Sequence, residues 1–307
     1  MRIAVVGIGG VGGFFGGKLA ARYEGGRPHE VCFVARGAHL DAMRTRGLKV
    51  RTPTGDFTAV PWCATAHPRE LGSVDVALFC VKGYDLEEAA TAMRPVVSES
   101  TVVIPLLNGV DNARVLRGVF PGATVLNGCV YISSHVVEPG VVEQTGGSGR
   151  LLFGPEEGTV EPYRRLEEVF HEASINAQLT GSITQEVWAK FMFISPVGVV
   201  TALTGKSIGQ VLDDQKAREM LEGMMAELEA VARAQGVQLP ADIVARSLDS
   251  AAAFPHDTRS SLQLDVEQGR RAELETFVGY VTQKATELGL DAPLYHAAER
   301  RLLRQTP

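Results

Sequence analysis

Gly7, Gly9 and Gly12 follow the first apolar run of the sequence, Ile3-Ala-Val-Val6, in the spacing Gly-x-Gly-x-x-Gly. Between a strand and a helix, that spacing suits a pyrophosphate. The first glycine allows a tight turn, the second lets the ligand approach the backbone, and the third lets the helix pack closely on the strand. Gly7, Ile8, Gly9, Gly10, Val11 and Gly12 are therefore expected to form a dinucleotide-binding loop. The helix expected from about Val11 to Ala21 would turn its amide-rich N-terminus toward the phosphates. Arg36 ends the second apolar run, Val31-Cys-Phe-Val-Ala35, where an NAD site would place an acidic residue for the ribose hydroxyls. A guanidinium can pair with a 2′-phosphate through two hydrogen bonds, which predicts NADP(H) rather than NAD or FAD. The plain alternative is a solvated arginine at a strand end.

Lys82 and Asn108 each follow an apolar run, Val74–Val81 and Thr101–Leu107, and each precedes a glycine. At the carboxyl end of a strand in an open α/β sheet they would face the ligand crevice. A lysine there can neutralise a phosphate or carboxylate, and an asparagine can both donate and accept. They read equally well as a solvated lysine and a turn-forming Asn-Gly pair. Lys190 lies among large apolar residues in Val187-Trp-Ala-Lys-Phe-Met-Phe193. Desolvation disfavours its ammonium, as a proton-donating lysine requires. By pattern alone, a stem that packs while the head reaches water is the simpler reading. Glu273 is not distinguished by its local pattern from Glu267 or Glu275.

The elements that must position these residues alternate in the first half. Strands are expected at Ile3–Val6, Val31–Ala35, Val74–Val81, Thr101–Leu107 and Ala123–Tyr131. Helices are expected near Val11–Tyr23, His39–Thr45, Leu86–Met93 and Ala113–Val119. The stretch Leu48–Ala59 reads as a hairpin insertion, and Val136–Gln144 and Arg150–Phe153 as strands extending the sheet. From about Thr184 the periodicity turns helical, at Gln185–Phe193, Lys216–Gln235, Pro240–Ala253 and Arg270–Leu288, with Gly236, Gly269 and Gly289 as stops. The fold class is thus α/β: an N-terminal Rossmann-type, doubly wound parallel sheet over 1–181, followed by an all-helical domain over 182–307.

Composition narrows the function classes. Of 307 residues, 45% are hydrophobic and 21% charged, with a net charge of −6, as in ordinary soluble proteins and without a signature for nucleic acid or anionic membranes. The longest apolar run, Phe191–Leu203, is shorter than the roughly 20 residues a span needs. No signal peptide is read at the N-terminus. Cys32, Cys63, Cys80 and Cys129 lack metal-ligand spacing and read as reduced residues of a cytoplasmic protein.

Taken together and in this order, Gly7-Ile-Gly-Gly-Val-Gly12, Arg36, Val81-Lys82, Leu107-Asn108-Gly109, Trp188-Ala-Lys190 and Ser260-Ser261 followed by Gly269-Arg270 and Glu273 resemble the ketopantoate reductase (2-dehydropantoate 2-reductase) family. The resemblance covers nearly the whole chain. It implies reduction of the 2-dehydropantoate ketone by NADPH to pantoate, in pantothenate and coenzyme A biosynthesis. It also implies that Lys190 is the general acid and that Glu273 holds the hydroxyl end of the substrate and helps fix Lys190. Asn108 would touch cofactor and substrate, Lys82 the cofactor, Ser261 the substrate near its carboxylate, and Ser134 the cofactor through its backbone. The chain departs from the family where asparagines are usual, at Ile194, Gly198 and Ile208. That departure keeps open another branched or bulkier 2-keto acid as substrate, and a sensor that binds NADP without turnover is the rival from another class. The partner expected is the small keto acid itself, and the chain is compatible with a homodimer.

Ser261 and Glu273 are 12 positions apart, so one straight helix would separate them by about 18 Å. Both can serve one small substrate only if the chain turns between them. The sequence predicts a helix break at Gln268–Arg270, closed by a left-handed Gly269.

Overall fold

Strand β1 (Arg2–Val6) is buried from Ile3 onward and runs through the middle of a parallel sheet. A strand covered on both faces reads as a continuous apolar run, and that is how it reads here. The computed structural model describes residues 1–302 and divides into two compact units, Met1–Ile183 and Thr184 onward. Residues 303–307, expected from the sequence to belong to the helical domain, lie outside the described residues.

In the first unit, β1 is followed by α1 (Gly10–Arg22), β2 (Glu30–Val34), α2 (Gly37–Arg46), β3 (Leu48–Arg51), β4 (Phe57–Ala59), β5 (Cys63–Thr65) and β6 (Val76–Phe79). Then come α3 (Leu86–Met93), β7 (Val102–Pro105), α4 (Asn112–Val119), β8 (Thr124–Val125), β9 (Asn127–Glu138), β10 (Val141–Gly154), α5 (Arg164–Glu172) and β11 (Asn176–Leu179). Six strands pair in parallel in the order β5-β2-β1-β6-β7-β8, so the winding reverses between β1 and β6. In sheets of this kind, ligands bind at that reversal, outside the carboxyl ends of the strands.

The strands expected to extend this sheet form a second one instead, in the order β11-β10-β3-β4 with β9 on the other side of β10. The hairpin β3–β4 belongs to it. The single strand expected over Ala123–Tyr131 is two strands in different sheets: β8 pairs with β7, whereas β9 pairs with β10. The change falls where Asn127 is buried and bonds Gly128 N and the Glu156 carboxylate. The bond from Gly128 N gives that backbone donor a partner where the chain passes from one sheet to the other. Helix α1 shares one core with both sheets: Phe14, Phe15 and Leu19 lie with Val5 and Phe33 of the first and with Leu48, Val50 and Val142 of the second. A β-carbon at Gly13 would come within 2.5 Å of the Val142 side chain, and one at Gly17 within 2.8 Å of Val50. Glycines on that face therefore set the spacing between helix and sheet. Cys32, Cys80 and Cys129 are buried, and burial pushes the Cys32 thiol up to about 12.

The second unit contains α6 (Ile183–Thr204), α7 (Ile208–Asp213), α8 (Gln215–Ala234), α9 (Ile243–Ala252), α10 (Ser261–Glu267), α11 (Tyr280–Leu288) and α12 (Pro293–Leu302). Helix α6 runs on well past the expected Gln185–Phe193 and carries Pro196 in its interior. Its apolar residues ring the helix, so no 3.6-residue stripe marked its continuation. By length and composition it could cross a membrane, but 61% of its most apolar window is buried inside the structure. The expected helix Arg270–Leu288 is irregular at its start, turns through a π-helical segment at Glu275–Gly279 and becomes regular only in α11. Helix α10 ends at Glu267, and Gly269 has φ 62°, which is the break that the spacing of Ser261 and Glu273 demanded. Gly236 and Gly289 also adopt positive φ at helix ends, as their stop positions predicted.

Candidate functional site

Four neighbouring parallel strands end in residues singled out by sequence. Strand β1 leads into the Gly7–Gly12 loop, β2 into Arg36, β6 into Lys82 and β7 into Asn108. The loop occupies the β1 side of the reversal and Lys82 the β6 side.

Gly7 has φ 90°, and a β-carbon on Gly12 would lie 2.0 Å from the Gly7 carbonyl oxygen, so the turn closes on itself. A β-carbon on Gly10 would lie 2.0 Å from the backbone oxygen of Ser134 in β9. Gly9 differs: its φ is −84°, and nothing lies within 4 Å of where its β-carbon would be. No neighbour or backbone strain in this chain requires glycine there, whereas a pyrophosphate lying against the backbone would. Helix α1 begins at this point with no side-chain cap and no acidic residue in its first turn. Its first amides and the positive end of its dipole therefore remain available to an anion. Ser134 adds a buried Oγ without a hydrogen-bond partner. These residues fit a bound dinucleotide. Gly10→Ala is expected to cost about 1–3 kcal/mol, because either the loop or β9 must move. A lowered Tm together with weaker cofactor binding would register it.

Arg36 stands at the N-cap of α2 and its side chain is 77% exposed, with Nη2 3.4 Å from Asp85 Oδ2. Lys82 is half-buried and precedes the short 3₁₀ turn Gly83–Asp85. The Asn108 carbonyl accepts a 3.0 Å hydrogen bond from Asn112 Nδ2, which also reaches the carbonyls of Leu107 and Gly109. Asn112 thus clamps the loop that carries Asn108, a role with no signal in the sequence. His39 of α2 was also not foreseen. Its Nδ1 accepts from Gly140 N at 2.9 Å, between β9 and β10. Burial holds its pKa below the usual histidine value, with the Ile8 backbone acting in the opposite sense. A neutral ring that accepts at Nδ1 carries its proton on Nε2.

In the helical unit, Lys190 is half-buried on α6 between buried Trp188 and Phe191. This turn packs against the segment after Glu273. The rings of Phe191 and Phe277 stack 6.3 Å apart, and Trp188 and Phe191 both meet Tyr280. Ser195 Oγ donates a 2.7 Å hydrogen bond to the Phe277 carbonyl and lies 2.7 Å from the Tyr295 hydroxyl. Burial pushes the Tyr295 phenol well above the ordinary tyrosine value, so it remains a neutral hydroxyl. Glu273 is 5% exposed, and its carbonyl accepts from Phe277 N at the entrance to the π-helical turn. Such turns recur at functional sites.

Lys190 and Glu273 therefore sit on elements packed against one another. Ser261 lies on α10, which meets α6 farther along its length. It is exposed at the start of α10, where Leu262 contacts Gly198 and the Ser260 and Thr201 hydroxyls are 2.7 Å apart. Gly198 is eight residues, or about 12 Å, from Lys190 along the axis. Of the three positions lacking asparagine, Gly198 and Ile208 are buried, and only Ile194 is half-exposed beside Lys190.

Comparison with known proteins matches residues 3–158 to the family described as Ketopantoate reductase PanE/ApbA, and residues 182–302 to its C-terminal domain family. A crystal structure of a PanE/ApbA family ketopantoate reductase from Ralstonia eutropha JMP134 superposes with a TM-score of 0.90 at 29% identity, covering 99% of this chain and 98% of that one. The crystal structure of 2-dehydropantoate 2-reductase from Porphyromonas gingivalis W83 gives a TM-score of 0.85 at 36% identity, covering 99% of both chains. Among curated sequences, an uncharacterized oxidoreductase, YkpB of Bacillus subtilis, is 28% identical over 96% of this chain and 95% of its own.

Proposed function

Because the chain belongs to the ketopantoate reductase family, an oxidoreductase family, we propose that it reduces the ketone of a 2-oxo acid with NADPH, 2-dehydropantoate being the first substrate to test. The observation that carries this reading is the pairing, in one chain, of an uncapped glycine loop at the β1/β6 reversal with a half-buried lysine. A reduced nicotinamide, when bound, supplies hydride to the carbonyl carbon. The loop Gly7–Gly12 and the first turn of α1 would hold the pyrophosphate, Arg36 the 2′-phosphate, and Lys82, Asn108 and Ser134 the remainder of the dinucleotide.

Charge develops on the substrate oxygen as the ketone is reduced. The Lys190 ammonium stabilises that charge and gives up a proton to it. Buried Glu273 orients the ammonium and the substrate, and Ser261 serves the carboxylate. On this reading residues 1–181 are the NADP domain and 182–307 the substrate domain of a cytoplasmic enzyme of pantothenate synthesis. A second reading, a bulkier 2-oxo acid, is favoured by Ile194, which offers no hydrogen bond beside Lys190. NADPH oxidation across a panel of 2-oxo acids tests both. Turnover of 2-dehydropantoate above the rest supports the first, turnover of a bulkier acid the second, and stoichiometric NADPH binding without oxidation of any overturns both in favour of a sensor.

A further inference from the structure

The half-exposed side chains one turn beyond Lys190 are unlike those needed by a hydroxylated substrate. Phe193 and Ile194 follow Lys190 by three and four residues, so they share its face of α6 about one turn further on, and both are half-exposed. The Phe193 ring is stacked on that of Phe254, with centroids 5.4 Å apart and planes 16° from parallel. Phe254 is 44% exposed, one of the few large apolar side chains left so open among the described residues. Its segment is nevertheless held in place. Gly209 N donates to the His256 carbonyl at 3.0 Å and Ile208 N to the Thr258 carbonyl at 2.9 Å, while His256 Nε2 meets Asp213 at 2.9 Å. A β-carbon on Gly209 would strike the His256 ring, so glycine is what lets this segment close onto α7. The result is a fixed aromatic shelf next to the lysine, without a hydrogen-bonding side-chain atom among Phe193, Ile194 and Phe254.

Resting on the reductase reading, we propose that Phe193 and Phe254 determine specificity by stacking against an aromatic side chain of the substrate, which makes the preferred substrate an aromatic 2-oxo acid. A side chain branching from a carbonyl held at Lys190 reaches the next helical turn, roughly 5 Å away, and meets this shelf. A flat ring gains offset-stacked contact there. A hydroxyalkyl group laid on the shelf would be desolvated against Phe193, Ile194 and Phe254 with no partner among them, the situation that costs selectivity most. The step balances as one 2-oxo acid, one NADPH and one proton giving one 2-hydroxy acid and one NADP⁺. The carbonyl π pair moves to the oxygen, and that oxygen takes its proton from Lys190.

The test uses the full chain with saturating NADPH and three acids: phenylpyruvate, 2-dehydropantoate and pyruvate. The expected result is a kcat/KM for phenylpyruvate on the order of tenfold or more above the other two. In Phe254→Ala and Phe193→Ala the ratio of phenylpyruvate to pyruvate turnover should fall on the order of tenfold, mainly through KM. Phe254→Tyr, which keeps the ring, should restore the ratio. Phe254 is half-open, so its alanine variant tests the shelf even if Phe193→Ala fails to fold. A preference for 2-dehydropantoate, or a ratio unmoved by Phe254→Ala, overturns the aromatic assignment and leaves the reductase reading standing. NADPH binding with no oxidation by any of the three overturns both.

Discussion

Lys190→Ala is expected to lower kcat by about 10²–10⁴-fold, the usual contribution of a positioned general acid, with NADPH affinity nearly unchanged. The asymmetry follows from where the interaction acts. A ground-state ketone oxygen carries little charge, so the ammonium binds it weakly. As the carbon is reduced, the oxygen approaches an alkoxide and the same ammonium becomes strongly stabilising. Its loss should therefore appear in kcat and in kcat/KM rather than in cofactor binding. Lys190 is half-buried on α6. Trp188 and Phe191, its neighbours in sequence, are both buried, and the Phe191 ring stacks on that of Phe277. Lys190→Arg keeps the charge but binds its proton too tightly to release it, so it should recover little activity. Steady-state kinetics with NADPH titrations decide the matter. A near-normal kcat in Lys190→Ala would remove the lysine from the chemistry.

The glycine turn and the strand ends around it were legible in the sequence because their signals are local. Glycine spacing, a strand before it and a helix after it lie within the first 22 residues, and each later strand end is marked by one polar residue after an apolar run. The second sheet was not legible. Whether β9 and β10 extend the first sheet or found another depends on long-range pairing with β3 and β11, and alternation within a strand says nothing about its partner. The change at Leu126 was hidden for the same reason, since β8 and β9 are both apolar and nearly contiguous.

On the helical side, α6 runs past the expected Gln185–Phe193 because its apolar residues ring the helix and leave no stripe to follow. Within the added length the Ser195 hydroxyl spends its hydrogen bond on the Phe277 carbonyl. Glu273 could not be told from Glu267 and Glu275 by pattern, yet it is buried while both of those are exposed. The Phe193–Phe254 stack joins residues 61 positions apart and left no trace in the sequence. The turn between Ser261 and Glu273 was legible only because a distance argument demanded it and Gly269 stood where it could occur.

Arg36→Ala is expected to weaken NADPH binding by about 1.5–3 kcal/mol, the worth of a hydrogen bond to a charged group, while NADH binding changes little. In affinity that is a loss of roughly tenfold to a hundredfold or more, confined to one cofactor. Arg36 sits at the start of α2, directly after a strand that neighbours β1, and its guanidinium is 77% exposed. Its contact with Asp85 is long, 3.4 Å, and open to solvent, so it costs little to exchange for a phosphate. Exposure also makes a prediction about salt. An interaction made at the surface is screened over about 10 Å at 0.1 M ionic strength, so the preference for NADPH over NADH should shrink as salt rises. In Arg36→Ala little preference would remain to lose, and its salt dependence should be flat. Arg36→Lys retains the charge without the planar fork and should fall between the two. Kd values for both cofactors, measured at low and high salt, separate these outcomes. Equal losses for NADPH and NADH would mean that the arginine supports the loop without reading the 2′-phosphate.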